Sequence, residues 1–325
     1  MTTPSVSRSS RRQAAENADD AELRALEAGR GVQSALDEAL LDDRVSEVTS
    51  EAIDALLSSN AIQDALQEDT YEEGALGLAS EVIERRSRML GDAYPFQLEQ
   101  NHVIYRGSKT GIYEFCLSFS RVPNPAATPL RKALALFEQL SGLVMSCFIG
   151  TAGQYYHTGF PSSHMALPKH IEELNKRMPG EWKWDNASLV TQVNDGGVDV
   201  VVWKRADDRH NVGSLVFVGN VGCTKDWRSG KASERPSQKL GRILSRPQTR
   251  HLHDFFSLPY HVYDNEDWAD VCYEGVFVLD RIRLTAIAEA EEATTWAAAT
   301  AHLVVSIDEA IKLLNPSARF SSSLP

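Results

Sequence analysis

The sequence predicts an α/β domain, a mixed sheet flanked by helices, with an N-terminal helical appendage. Three observations predict it. Two valine-rich runs, 198–203 and 215–218, flank the turn-forming stretch Asp207-Asp208-Arg209-His210-Asn211 and read as a β-hairpin. An apolar stripe at helical spacing (Leu134, Leu136, Phe137, Leu140, Leu143, Val144, Phe148) precedes that hairpin. Further strand patterns and an alanine-rich helical pattern follow it, which suits helices packed against a sheet.

Taken in order, residues 1–15 are rich in Ser, Thr and Arg and have no apolar segment long enough for a secretory signal. They predict a disordered tail. Residues 16–90 predict helices. Leu23, Leu26, Val32, Ala35 and Leu36, then Ile53, Leu56, Leu57, Ile62 and Leu66, then Leu76, Leu78, Val82 and Ile83 fall near helical spacing. Acidic residues fill the other faces. The segment reads as a solvated appendage, or as an arm that docks a partner or mimics the charge of DNA.

Residues 91–325 form the main domain of this reading. His102–Tyr105 and residues 111–119 read as strands. Pro123, Pro125 and Pro129 mark a linker. A helix covers 130–148, a Gly/Ser/His-rich loop 149–167, and a short helix 169–178. In the hairpin, Val198, Val200 and Val202 should face one way, and Asp199, Val201 and Trp203 the other. Residues 228–250 are basic and partly helical, 255–262 and 276–283 read as strands, and one or two helices close the chain over 285–314.

Composition narrows the function classes. At 42% hydrophobic and 24% charged, the 325 residues are ordinary for a globular chain, and no run of about 18 apolar residues occurs. Cys116, Cys147, Cys223 and Cys272 are far apart, with no CxxC pair and no matched histidine spacing. That pattern argues against a zinc site or a disulfide framework and points to a reducing, cytoplasmic setting. The net charge of −12 is unevenly spread. Residues 16–90 hold 19 acidic and 6 basic residues, which leaves the main domain nearly neutral. The acidity therefore does not repel the main domain from DNA.

The chemistry lies in two short stretches. One is Asp195-Gly196-Gly197-Val198-Asp199, running into Val200-Val201-Val202-Trp203. The other is Val218-Gly219-Asn220-Val221-Gly222-Cys223-Thr224-Lys225. Asp195, before two glycines, reads as a turn residue. Asp199 sits in a valine strand, where an unpaired carboxylate is costly, so it calls for a cation or for hydrogen-bond donors. Glu138 interrupts the apolar helix stripe. Hydrolysing a phosphodiester takes an activated water and a stabilised leaving oxygen. Magnesium supplies both and takes hard oxygen ligands, and a lysine can orient the water. Glu138, Asp199 and Asn220 are the candidate ligands for Mg2+ (or Mn2+), with Lys225 or Lys231 on the water.

On these residues the chain resembles the PD-(D/E)XK nuclease superfamily. The stretch Leu136-Phe137-Glu138-Gln139-Leu140, the Asp-Gly-Gly-Val-Asp element and the return strand carry the resemblance. Within the superfamily the chain is most similar to the Mrr-type restriction endonucleases. The resemblance covers about residues 130–231. It implies a restriction-endonuclease-like fold and metal-dependent endonucleolytic cleavage of DNA, as in microbial restriction or phage defence, with Glu138 and Asp199 on the metal. Two positions depart from the pattern. Asn220 stands where the family has Glu, Asp or Gln, and Gly222 stands where it has lysine.

Residues 225–250 carry eight basic residues against Asp226 and Glu234. Arg228, Arg235, Lys239 and Arg242 are the expected phosphate contacts. The same run could instead pair with the acidic N-terminal helices. DNA is the expected partner and RNA stays open. A partner subunit or activator at the acidic helices and a homodimer are also expected, and no membrane is. The competing reading is a catalytically inactive module of the same fold that binds DNA or protein. Ser162-Ser163-His164 lacks a nucleophile elbow, the HxH at His251 and His253 is a weak metal signal, and Gly150-Thr151-Ala152-Gly153 is not a phosphate-binding loop.

Overall fold

A computed structural model describes residues 7–36, 61–122, 130–158, 167–178, 198–205, 214–223, 227, 235–243, 252–272 and 275–320. For 8, 61–73, 167–168, 239 and 241–243 it describes the backbone alone. The chain is mixed α/β with two sheets. Helix α1 (Arg8–Ala28) is followed by β1 (Gln33–Ala35), the long α2 (Ala61–Leu90), β2 (Phe96–Glu99), β3 (His102–Tyr105) and α3 (Ile112–Ser120). Next come α4 (Arg131–Phe148), β4 (Gln154–His157), α5 (Leu167–Arg177), β5 (Val200–Lys204), β6 (Leu215–Val221) and α6 (Pro236–Ile243). The remainder is β7 (Leu252–Ser257), α7 (Asn265–Val271), β8 (Phe277–Leu279), α8 (Arg281–Ala290), α9 (Ala293–Thr300) and α10 (Ile307–Leu314).

The larger sheet has the order β4-β5-β6-β7-β8. Its first three strands form an antiparallel meander, and β7 and β8 add in parallel. The expected hairpin is there, with Val201 opposite Val218 and Trp203 opposite Val216. Valine and tryptophan suit a strand buried on both faces, and Val200 to Trp203 are all buried. Val200, Val202, Val221 and Phe255 belong to the main core, together with α4 and α8. Val201, Trp203, Val216 and Val218 pack against Ile171 and Leu174 of α5 and Leu240 of α6. Helices therefore cover both faces. Gly142 lets α4 approach closely, since a Cβ there would lie 2.7 Å from both Tyr155 and Val200.

Several expectations change. Residues 111–119 form the helix α3 instead of a strand, and every residue of Ile112–Ser120 is buried. An apolar run buried on all sides carries no period that separates helix from strand. Residues 149–167, expected as a loop, contain the edge strand β4. The strand expected to reach residue 262 ends at Ser257, two residues before Pro259, whose missing N–H cannot serve a ladder. The one expected to reach 283 ends at Leu279, because Asp280 caps α8 by accepting the Arg283 N–H. The closing helical region is three helices.

The N-terminus differs most. The tail expected over 1–15 is helical from Arg8, with Ser7 as its N-cap, accepting the Ser10 N–H. Residues 33–35, expected to be helical, pair with β3 as a strand. Ala14, Ala18, Ala21, Ala25 and Leu26 of α1 share one continuous core with α3, α4 and the sheet. Helix α1 is thus an integral wall of the molecule and not an appendage. The apolar positions expected between 37 and 60 lie outside the described residues. None of the described helices is long and apolar enough to cross a membrane.

Candidate functional site

Asp199 stands just before β5, at the end of the sheet where β6 and β7 finish. It is 5% exposed. The Val221 N–H donates to its Oδ2 at 2.7 Å, its own N–H donates to the Gly219 carbonyl at 2.9 Å, and the Thr158 N–H donates to its carbonyl at 3.0 Å. The Thr158 hydroxyl also donates to the Val198 carbonyl. The carboxylate thus takes a ladder N–H that a carbonyl would otherwise take. Strict alternation breaks here as a consequence: Val198 packs with Val201 and Trp203, not with Val200 and Val202 as expected.

Asn220 lies on β6 next to Gly219, the partner of Val200, and is buried. Glu138 lies on α4 and is 6% exposed. His157 of β4 meets it, with Nε2 2.5 Å from Glu138 Oε2. His157 is directly followed by Thr158, so the end of β4 connects Glu138 to the backbone of Asp199. One turn along α4, Ser141 donates to the Phe137 carbonyl and shares a 2.8 Å hydroxyl contact with Ser257 of β7. The structure therefore puts Asp199 and Asn220 at the same end of neighbouring strands and links Glu138 to the Asp199 backbone through β4, while Asn220 falls on the face of Val216 and Val218, across the sheet from α4. Sequence reasoning missed His157, although the run Gln154-Tyr155-Tyr156-His157 carried the β-propensity of paired tyrosines.

Gly222 has a steric cause. A Cβ at 222 would lie 2.4 Å from the Phe256 ring, which also contacts Trp227. The space where a lysine would start is filled. Asp195, Lys225, Lys231 and Arg228 lie outside the described residues. Lys239 and Arg242 fall on α6, whose side chains at those positions are not described, and Arg235 is half-buried just before that helix. Asp254, beside the HxH pair, accepts both the Ser237 N–H and the Ser237 hydroxyl, so it anchors the start of α6. His253 packs on Phe217.

The oxygen set of Asp199, Asn220 and Glu138 has the hardness that a magnesium or manganese ion requires. It contains only two acids. Among the described residues no group of three or more His, Cys, Asp or Glu is arranged to hold a metal. The four cysteines are free thiols, and burial pushes Cys116 up to about 12 and Cys147 up to about 11. Cys116 and Cys147 are therefore poor nucleophiles and poor metal ligands at neutral pH.

A second polar group sits behind the same end of the sheet. Asp19 and Glu22 of α1 meet Arg86 of α2 and Arg281 of α8. Tyr94 and Tyr113 donate to Glu22 at 2.5 and 2.9 Å. Burial raises the Asp19 carboxyl, but Arg281 and Arg86 outweigh that effect and hold it well below the usual range. Arg86 Nε donates to His261 Nδ1 at 3.1 Å. Burial, then the charges of Arg86 and Arg281, keep His261 well below its ordinary value and so neutral.

Comparison with models of known protein families, with curated proteins and with solved structures finds no match.

Proposed function

We propose that this chain is a metal-dependent nuclease of the PD-(D/E)XK type, cleaving DNA. The observation that carries the reading is the buried Asp199 at one end of a mixed sheet, with Glu138 of the preceding helix linked to its backbone through His157 and Thr158. The mixed sheet covered by helices on both faces is the architecture that the motif resemblance implies. Asp199 and Asn220, with Glu138, would hold the divalent ion. When bound, such an ion lowers the pKa of a water and neutralises the leaving oxygen.

The chain's own residues do the positioning. The Val221 N–H fixes one oxygen of Asp199. His157 fixes the rotamer of Glu138. Ser141 and Ser257 tie α4 to β7, so the helix carboxylate and the strand carboxylate keep a constant spacing. Lys225 or Lys231 would orient the attacking water, since position 222 is closed to any side chain. Restriction or phage defence is the biological role the resemblance implies, and the basic run 225–250 would hold the phosphates.

The closure of position 222 by Phe256 also favours a second reading, a binding module of the same fold that does not cleave. One experiment separates the two. Purified protein is incubated with plasmid DNA, and in parallel with RNA, in Mg2+ or Mn2+, beside Asp199→Ala and Glu138→Ala. Cleavage by wild type that both substitutions abolish supports the nuclease. Salt-sensitive DNA binding with no cleavage in either metal supports the module.

A further inference from the structure

A cleft opens at the same end of the sheet as Asp199. It holds about 110 Å³ of free space and lies between α1, the segment that follows β7, and Trp227. One water needs on the order of 10–15 Å³ on this measure, so the cleft has room for several waters or one small ring. The backbone carbonyl of Cys223, three residues past Asn220, accepts the Tyr260 hydroxyl at 3.2 Å, which ties the cleft wall to the end of β6.

Three features describe its chemistry. Its walls carry Arg11, Arg12, Arg86 and Arg121 against Glu16, Asp19, Asp264 and Asp267, so charge is balanced. Arg11 and Arg12 are bonded to Asp264 and Asp267 at 2.7 and 2.8 Å. A free anion would find little net field and would have to break those pairs. Second, Trp227, Tyr260 and Tyr263 supply aromatic surface. Third, His261 is 9% exposed and its ring lines the cleft. Its Nδ1 accepts from Arg86, which puts the ring proton on Nε2, the nitrogen on the other edge. Arg86 thereby fixes His261 as a single neutral donor.

We propose that this cleft binds a nucleobase, a neutral planar ring with both donors and acceptors, taken from the nucleic acid that the Asp199 edge acts on. The inference rests on the reading of that edge as a nucleic-acid site. Aromatic walls and a hydrogen-bonding rim are what an unstacked base requires. His261 Nε2 donates to a ring nitrogen or carbonyl, and the acid–arginine rim meets the remaining polar edge.

The test is saturation-transfer difference NMR on the full chain with each of the four 2′-deoxynucleosides, and with 2-deoxyribose and inorganic phosphate as competitors. Transfer to base protons is expected for at least one nucleoside, displaced by neither competitor. His261→Ala should weaken it about tenfold, the loss of one hydrogen bond, while His261→Gln, which can both accept from Arg86 and donate, keeps it. Ala15→Phe fills the cleft while replacing none of its charged side chains and should abolish the transfer. Absence of transfer to any base, displacement by phosphate, or undiminished transfer in Ala15→Phe overturns the proposal. Asp199→Asn should leave nucleoside binding unchanged. Plasmid cleavage without base binding overturns this inference and not the nuclease. Base binding without cleavage supports the inference and counts against the nuclease.

Discussion

Glu22 and Asp199 are both buried carboxylates, and they are held by different partners. Glu22, with Asp19, faces two arginines and two tyrosine hydroxyls drawn from three helices and the segment before β2. Asp199 takes a backbone N–H from the neighbouring strand, and Glu138 beside it takes an imidazole. The first arrangement brings its own cations and closes on itself, which is how a structural ion cluster is built. The second fixes the orientation of each carboxylate through a backbone N–H and an imidazole, with no arginine among these bonds. The proposed function uses the sheet edge, and the cluster joins α1, α2 and α8.

The largest effect that could break this comparison is on the cluster. Arg281→Met leaves Asp19 and Glu22 with one buried arginine fewer, and losing one partner of a buried pair costs about 3–5 kcal/mol. A urea titration should show the midpoint collapse. A loss below about 1 kcal/mol would mean that the cluster is not the joint it is taken to be.

Glu114 sharpens the comparison from between the two. It is fully buried in α3 and is bonded by the Ser108 N–H, the Ser108 hydroxyl and the Tyr105 hydroxyl, with no arginine among these bonds. Burial pushes it up to about 7 against those hydrogen bonds. The folded state thus holds a proton that the unfolded chain releases near its ordinary value of 4.5. Stability from this group is full below that value and is lost as pH rises toward about 7, by roughly 3 kcal/mol at most. His261, held neutral, acts in the opposite sense, losing stability as pH falls below its ordinary value. The difference in stability between wild type and Glu114→Gln removes the His261 contribution. It should slope downward between pH 4.5 and 7 and be flat above. A flat difference throughout would place a cation near Glu114 after all.

The contrast between the regions also tracks what the sequence discloses. The hairpin is legible because a run of valines surrounds one misplaced aspartate, and the α4 stripe is legible because Glu138 interrupts it. The cluster is not, since Asp19 and Arg281 stand 262 residues apart and nothing local marks either as paired. Helix α3 misleads for a related reason: burial on every side erases the period. The isolated Gly222 reads as a lost lysine, whereas its cause, the Phe256 ring, belongs to another strand. Adding the lysine back is then a direct check. Gly222→Lys should cost about 1–3 kcal/mol through overpacking and should not raise cleavage. A stable variant with faster cleavage would show that Phe256 yields.

The smallest expected change in stability bears most directly on function. Asp199→Asn keeps the shape of the side chain, and its amide oxygen can still accept the Val221 N–H, so unfolding should shift by less than about 1 kcal/mol. The charge is gone, however, and with it the pull on a divalent ion. If the sheet edge works as proposed, cleavage falls by at least about 10²-fold while the melting temperature barely moves. Glu22→Gln, its counterpart in the cluster, should do the reverse: it should destabilise the fold, because Arg86 and Arg281 lose a charge, while the activity of the molecules that remain folded is kept. Measuring both variants for melting and for plasmid cleavage places each carboxylate by what its charge does. If Asp199→Asn melted early and still cut, the assignment of the two regions would have to be exchanged.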